Sequence, residues 1–344
     1  MTQRARIVGV GRYVPERVMT NDDLSAFVET TDEWIRERTG IRERRIAAES
    51  ETTSSLAIEA ARRALASAGV EARDVDLIIT GTCTPDGMFP AVSTLVQHGV
   101  GALDAATFDV NAACTGFLTA LSTARQFIAT GQSRRALVIG AETMSRIMDW
   151  TDRGTCVLFG DGAGAVLLEA APEGEPGGLD SLVLHSDGSQ AGLLYATGPC
   201  GPGEALSREA HLIMNGSAVF KLAVTAMAEA SLEVLGQAGL TAADVDLVVP
   251  HQANRRIITA MADRLHLPAE KVYMNLDRYG NTSSATIPIA LAEAAAEGRL
   301  KPGDRVLLCA FGGGLTWGAM TLEWTGVREP AAAITTATAA ALSE

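Results

Sequence analysis

Residues 68–79 read A-G-V-E-A-R-D-V-D-L-I-I, and residues 238–249 read A-G-L-T-A-A-D-V-D-L-V-V. The two stretches match at an offset of about 170 residues. The same offset lays Arg135-Ala136-Leu137-Val138 on Arg305-Val306-Leu307-Leu308, and it lays Cys114 on Ser284 inside turns rich in Gly, Ser and Thr. Beyond that point Gly164-Ala165 pairs with Gly318-Ala319 only at a shorter offset of about 154, so the first half carries about 16 extra residues. They are placed from Glu142 to Arg153, within the stretch 142–160. Solenoid units run ~20 to 50 residues, so a period this long reads as duplication of a whole domain. The expected halves are 1–172 and 173–327, followed by an Ala/Thr-rich tail at 328–344 that should stand outside the fold.

Within each half, helical and strand patterns alternate. Residues 56, 60, 64 and 68, with 57 and 61, place small or apolar side chains on one helical face. Asp76 to Thr80 and Ala136 to Ile139 are short runs apolar on both faces, as strands of a sheet covered on both sides are. Phe117, Leu121, Ala124 and Ile128 belong to a helix that is small or apolar nearly all round, which predicts a buried central helix. An α/β fold follows.

The 344 residues hold 28 Lys and Arg against 41 Asp and Glu, a formal net charge of −13. Neutralising nucleic-acid phosphates needs a surplus of the opposite sign, so a nucleic-acid partner is not expected. No apolar run approaches the ~20 residues that span a bilayer, and residues 1–10 lack the apolar core of an export signal, so no membrane association and a cytoplasmic location are expected. The cysteines, at 83, 114, 156, 200 and 309, show no C-x-x-C spacing. That argues against a metal site or a disulfide framework.

Cys114 lies in N-A-A-C-T-G-F (111–117), after the strand-like F-D-V and before the Phe117 helix. A helix N-terminus can lower a thiol pKa from ~8.5 towards ~3.5–7.5, which would make Cys114 a nucleophile. A small buried core residue is the other reading of the same string. Cys83, Cys156 and Cys200 read as core or loop packing. His251, in V-V-P-H-Q-A-N-R-R, ends a strand and would face a cleft, whereas His98, His185, His211 and His266 read as structural or surface residues. Asn281, in R-Y-G-N-T-S-S-A, reads as a helix cap or an Asx turn, or as the counterpart of the Cys114 turn across a pseudo-twofold axis. Phe311-Gly312-Gly313-Gly314 could bring backbone N–H groups close to a ligand or simply turn tightly. The glycine string at 160–164 leads into a strand, which is not the setting of a dinucleotide fingerprint.

These residues, with T-D-E-W-I-R-E-R-T-G-I-R-E-R-R (31–45), D-R-G-T-C-V-L-F-G-D-G-A-G-A (152–165) and F-G-G-G-L-T-W-G (311–318), carry a resemblance from about Ile7 to Trp324. The chain resembles the β-ketoacyl-acyl-carrier-protein synthase III family, the initiating condensing enzymes of type II fatty acid synthesis. The resemblance implies a thiolase fold, two αβαβα halves forming a five-layered α-β-α-β-α core with pseudo-twofold symmetry. It implies decarboxylative condensation of a short acyl-CoA with malonyl-acyl-carrier-protein, with no cofactor and no metal, in a homodimer. It implies a catalytic set of Cys114, His251 and Asn281, and an oxyanion hole of the Cys114 and Gly313 backbone N–H groups. It implies that Trp34 and Arg153 sandwich the CoA adenine and that Arg38, Thr39, Asn215, Gly216, Phe220, Ala253 and Asn254 line the approach. Lys221 and Arg256 match carrier-docking positions. An acidic carrier approaching an acidic chain needs a local basic patch, expected from Lys221, Arg255 and Arg256 with Arg36 and Arg42. Phe89 matches a position that reaches into the partner subunit's acyl pocket, and Met88, Leu193, Leu194 and Leu212 are expected to tune that pocket. The alternatives are a secondary-metabolite condensing enzyme or acyltransferase of the same lineage, an inactive partner subunit, and a thiolase. Cys309 beside the glycine run invites the last, but G-N-T has Asn where thiolases resemble one another in using His.

Overall fold

Leu77 and Ile79 lie on one side of their strand and Ile78 on the other, and each side meets its own layer of helices. Leu137 and Ile139 against Ala136 and Val138, and Leu307 and Cys309 against Val306 and Leu308, divide in the same way. A strand alternates its side chains between faces, so strands apolar at every position sit in sheets with no wet face.

The structure, a computed structural model, describes residues 3–172, 174, 175, 177–197 and 211–327. Cys200 and the tail from Arg328 lie outside the described residues. The chain begins with β1 (Ala5–Tyr13), β2 (Val18–Thr20), α1 (Asn21–Ser25), α2 (Asp32–Thr39), β3 (Glu43–Arg45) and α3 (Thr53–Ala68). It continues through β4 (Leu77–Gly81), α4 (Val92–Val100), β5 (Ala106–Val110), α5 (Gly116–Ala129), β6 (Arg135–Thr143) and β7 (Asp161–Ala170). There follow β8 (Gly178–Ser186), β9 (Leu194–Ala196), β10 (Leu212–Met214), α6 (Gly216–Gln237), β11 (Leu247–Pro250) and α7 (Arg255–Arg264). The last elements are α8 (Leu276–Tyr279), α9 (Thr286–Ala296), β12 (Arg305–Gly312) and β13 (Thr316–Glu323).

One sheet has the order β1-β7-β6-β4-β5, and the other has β8-β13-β12-β11. Corresponding pairs run in the same sense: β4/β6 and β11/β12 are parallel, whereas β6/β7 and β12/β13 are antiparallel. Where the first sheet has β5, the second has a single parallel bridge, Val248 to Val272. The topology is therefore duplicated. α3 and α4 cover the outer face of the first sheet, α6 and α7 cover that of the second, and α5 and α9 lie between the sheets. The five layers are those of a thiolase fold.

Close approach in the middle layer depends on small residues. A Cβ on Gly164 of β7 would come within 2.5 Å of the Ile289 backbone N in α9, and one on Gly140 of β6 would strike the Ser284 carbonyl oxygen. The central core is thus packed partly backbone against side chain, consistent with only 5% aromatic residues.

One detail corrects the sequence reading. Glu142 and Thr143 belong to β6 and pair with Gly162 and Asp161 of β7, so the extra chain begins after them and spans 144–160. The matching β12–β13 connection is only 313–315. The longer one crosses to the other half, where Asn281 N donates to Leu158 O at 2.8 Å and Gly160 N donates to Asn281 O at 3.2 Å. The fully buried Arg44 guanidinium also donates to Val157 O at 2.7 Å.

Candidate active site

Cys114 sits in a single 3-10 turn, Ala113–Thr115, that runs straight into α5; Ser283–Ala285 does the same before α9. The residue opening each turn has a left-handed backbone, Ala113 at φ 45° and Ser283 at φ 49°. For residues with a Cβ that conformation costs about 1–2 kcal/mol, and here it occurs twice at equivalent places. Gly312 at the end of β12 backs the nucleophile turn, since a Cβ there would lie 2.7 Å from the Cys114 backbone N. Thr316 closes the same corner: Thr115 Oγ1 lies 2.8 Å from its hydroxyl, which lies 3.1 Å from Gly313 O.

The thiol does not behave as its helix position suggested. Burial pushes Cys114 up to about 12, the Ser283 hydroxyl lowers it only in part, and nearby Glu142 raises it further. A helix N-terminus cannot offset that much desolvation without a neighbouring cation. His251 does not supply one, because burial drops its imidazole to about 3 and holds it neutral. Its backbone N donates to Cys309 O at 2.8 Å, and its Nδ1 meets Thr286 Oγ1 at 2.7 Å. Asn281 Oδ1 accepts from Ser283 N at 2.8 Å. A backbone N–H can only donate, so the amide is oriented and its Nδ2 remains available as a donor.

Glu142 organises the wall behind Cys114. It is fully buried and accepts from Thr84 Oγ1 at 2.5 Å, Ser284 Oγ at 2.8 Å and Cys83 N at 3.1 Å. Burial raises its carboxyl pKa against the pull of these bonds. The carboxyl therefore joins the β4 end to the α9 turn.

Cys114, His251, Asn281 and Gly313 line one cleft of about 1500 Å³. Of the residues expected along the approach, Trp34, Arg38, Thr39, Gly216, Phe220, Ala253 and Asn254 line it too, as do Lys221 and Arg256 at its mouth. Met88, Leu194 and Leu212 line it as well. Asn215, Leu193, Phe89, Arg153 and Arg255 do not. Asn215 instead caps α6, accepting from Ala218 N. Arg255 Nη2 donates to Gly40 O at 3.1 Å, tying α7 to the end of α2. Arg153 stacks on the Trp34 ring, 4.8 Å from its centroid, while Arg38 stands 4.5 Å from that centroid. Phe89 is 84% exposed and does not line its own cleft.

Residues 108–188 match the family described as 3-oxoacyl-[acyl-carrier-protein] synthase III, and residues 235–324 match that family's C-terminal part. A β-ketoacyl-[acyl-carrier-protein] synthase III of Rhodobacter capsulatus is 53% identical over 328 residues, spanning 94% of this chain and 100% of that protein. The chain belongs to the 3-oxoacyl-[acyl-carrier-protein] synthase III family. Its counterpart in Rhodospirillum centenum is 55% identical over 94% of this chain and 100% of its own length. Among solved structures, the family's enzyme from Aquifex aeolicus superposes with a TM-score of 0.88 at 47% identity, covering 93% of this chain and 100% of that one. The priming β-ketosynthase of the R1128 polyketide pathway gives a TM-score of 0.89 at 37% identity, covering 94% and 97%.

As a synthase III family member, the chain is a condensing acyltransferase, and two cysteines take on different meanings. Cys309 belongs to the outer core beneath α6 and α7, where burial raises its thiol to about 12 beside Ser231. It does not line the cleft, so it is not placed as the second cysteine that a thiolase reading needs. Cys83, read as packing, does line the cleft next to Glu142 and Met144. Its position depends on the buried carboxyl 59 residues away, which no local pattern reveals. Among the described residues no group of three or more His, Cys, Asp or Glu side chains is placed to hold a metal, and no helix is long and apolar enough to cross a membrane.

Proposed function

We propose that the chain condenses a short acyl-CoA with malonyl-acyl-carrier-protein, releasing CO2 and giving a 3-oxoacyl-acyl-carrier-protein, the opening condensation of type II fatty acid synthesis. The observation that carries this reading is a buried thiol sharing one cleft with a neutral imidazole and an oriented amide. Cys114 sulfur attacks the acyl-CoA thioester; its S–C bond forms, the CoA sulfur leaves, and the thiol proton departs with that sulfur. Splitting the reaction through an acyl-enzyme replaces one hard step with two easier ones. The malonyl thioester then loses CO2, and the electron pair of the broken C–C bond passes into an enolate. His251 Nε2–H and Asn281 Nδ2–H stabilise the enolate oxygen, a role that requires the imidazole proton on Nε2. The enolate carbon attacks the acyl-Cys114 carbonyl, its oxyanion held by the Cys114 and Gly313 N–H groups, and Cys114 thiolate is expelled. No cofactor enters the scheme. A cytoplasmic location fits these substrates.

CoA would reach Cys114 along the wall from Trp34 to Asn254. For an adenine to lie between Trp34 and Arg153, the guanidinium must leave the ring it now covers. Arg153 is exposed and held by one hydrogen bond to Glu29 O at 2.9 Å, so the move costs only about 1–2 kcal/mol in lost stacking and hydrogen bonding. Lys221 on α6 and Arg256 at the start of α7, stacked 5.5 Å from the Phe220 ring centroid, would meet the acidic carrier at the cleft mouth. A homodimer fits the open edge of β5, which among the described residues pairs only with β4, and the exposed Met88 and Phe89. Free edges and exposed apolar patches favour self-association, and a second copy brings the same surface to itself.

The test is mass spectrometry of intact protein after incubation with acetyl-CoA. One acetyl group should appear on Cys114 and be absent from Cys114→Ser, and adding malonyl-acyl-carrier-protein should discharge it with release of CO2. Failure to acylate Cys114 would sink the proposal.

A further inference from the structure

Arg44 stands near the end of the 31–45 motif, and its guanidinium is fully buried. Burial lowers its pKa to about 10, which still leaves it charged at neutral pH. Its hydrogen bonds go to uncharged oxygens only. Nη1 donates to Met19 O at 3.2 Å and to Asn21 Oδ1 at 2.9 Å, and Nη2 donates to Val157 O at 2.7 Å. Nε has no partner among the described residues. Burying a charge without a counter-charge is costly, and an apolar side chain could fill the same space. An apolar side chain could not join three separate segments, β2, α1 and the 144–160 connection, through one rigid fork of donors.

The segment fastened in this way is the one that holds Asn281. Directly after Val157, Leu158 O accepts from Asn281 N and Gly160 N donates to Asn281 O, a parallel bridge centred on Phe159. The stem of Arg44 fills the corner behind this bridge. A Cβ on Gly160 would lie 2.9 Å from the Arg44 Cβ, and one on Gly280 would lie 3.4 Å from it. Ser283 N orients the Asn281 amide, but the backbone that carries the amide pairs with 158–160. Arg44 does not line the cleft, whereas Val157, Leu158, Phe159 and Asn281 do.

We propose that Arg44 is a positioning residue for Asn281: by fastening Val157, it fixes the 158–160 backbone with which Asn281 pairs. This rests on the condensation reading, in which Asn281 serves the malonyl step and takes no part in loading Cys114. Arg44 touches no reacting atom. Its loss should therefore be felt in one half-reaction and not in the other.

The test compares Arg44→Met, which keeps a long stem and removes every donor, with Arg44→Lys, which keeps the charge but cannot span three acceptors. In Arg44→Met, kcat for decarboxylating malonyl-acyl-carrier-protein should fall about 10- to 100-fold with KM little changed, because misplacing a reacting group by ~1 Å costs up to ~10²-fold. Acetylation of Cys114 at saturating acetyl-CoA should be unchanged, and Arg44→Lys should recover part of the lost decarboxylation. A general loosening of the fold would lower both rates together. Full-length protein labelled with nitrogen-15 asparagine supplies a readout besides activity. The Asn281 side-chain amide signals, assigned by their loss in Asn281→Asp, should shift or broaden in Arg44→Met while those of Asn111 stay in place. Equal loss in both half-reactions overturns the proposal, as does a folded Arg44→Met protein with unchanged decarboxylation or unmoved Asn281 signals. Should Arg44→Met not fold, Arg44→Lys decides by the same comparison; if neither folds, Arg44 serves the fold alone and the proposal falls. A wild-type protein that neither acylates Cys114 nor decarboxylates malonyl-carrier would remove the condensation reading, while the Asn281 signals still report whether Arg44 holds that residue.

Discussion

Cys114 is where desolvation and the helix terminus compete, and the magnitudes favour desolvation. A thiol held near 12 stays protonated through the range in which an ordinary cysteine, at ~8.5, ionises. Its reactivity should therefore climb with pH rather than level off. Alkylation of Cys114 by iodoacetamide, followed by peptide mass spectrometry, should accelerate about tenfold per pH unit from 7 to 10, and a plateau below pH 8 would contradict the assignment. At this scale the sequence was partly legible. Cys114, His251 and Asn281 stand at strand ends and helix starts where chemistry is usual, so position alone pointed to them. The contact of Thr286 was invisible because a threonine opening a helix is ordinary and the imidazole it meets lies 35 residues away. Cys83 packs against its neighbours as read, but its place in the cleft was hidden for the same reason. Its place depends on Glu142, which lies distant in sequence.

At the scale of elements, the two turns before α5 and α9 are held by backbone packing rather than by long side chains. Gly140 of β6 presses on the Ser284 carbonyl, and the neighbouring Ser283 N–H fixes the Asn281 amide. Gly140→Ala adds a methyl group where there is no room, and overpacking of this kind costs about 1–3 kcal/mol. The variant should melt at a lower temperature by circular dichroism and lose condensation rate together with stability, because the displaced turn carries Asn281. An unchanged melt and rate would show that the wall gives way freely. Strand and helix types were legible from the two-faced runs and the Phe117 periodicity. The start of the long β6–β7 connection was not, because Glu142 reads as a polar loop residue until its pairing with Gly162 is seen.

For the whole molecule, the repeat beginning at residues 68 and 238 was the most informative signal, since identical spacing in two places implies identical topology. The missing counterpart of β5 could not be read from it, because the single Val248 to Val272 bridge leaves no strand-length pattern. Net charge frames a test at this scale. The protein carries −13 overall, so an acidic carrier must be guided by local charge. Lys221→Glu with Arg256→Glu should raise KM for malonyl-acyl-carrier-protein and spare acetyl transfer from acetyl-CoA to Cys114, and equal loss in both steps would overturn the docking assignment. The left-handed residues Ala113 and Ser283 carry a consequence at this scale too. Both halves keep the same costly bend, and only one carries a thiol beside it. Ser284, standing where Cys114 stands in the other copy, has its hydroxyl within hydrogen-bond distance of Gly81 O and Glu142 instead. The two halves thus differ in side chain, a thiol facing the cleft in one and a hydroxyl bracing the wall beside it in the other, while a pair of dihedral angles stays the same.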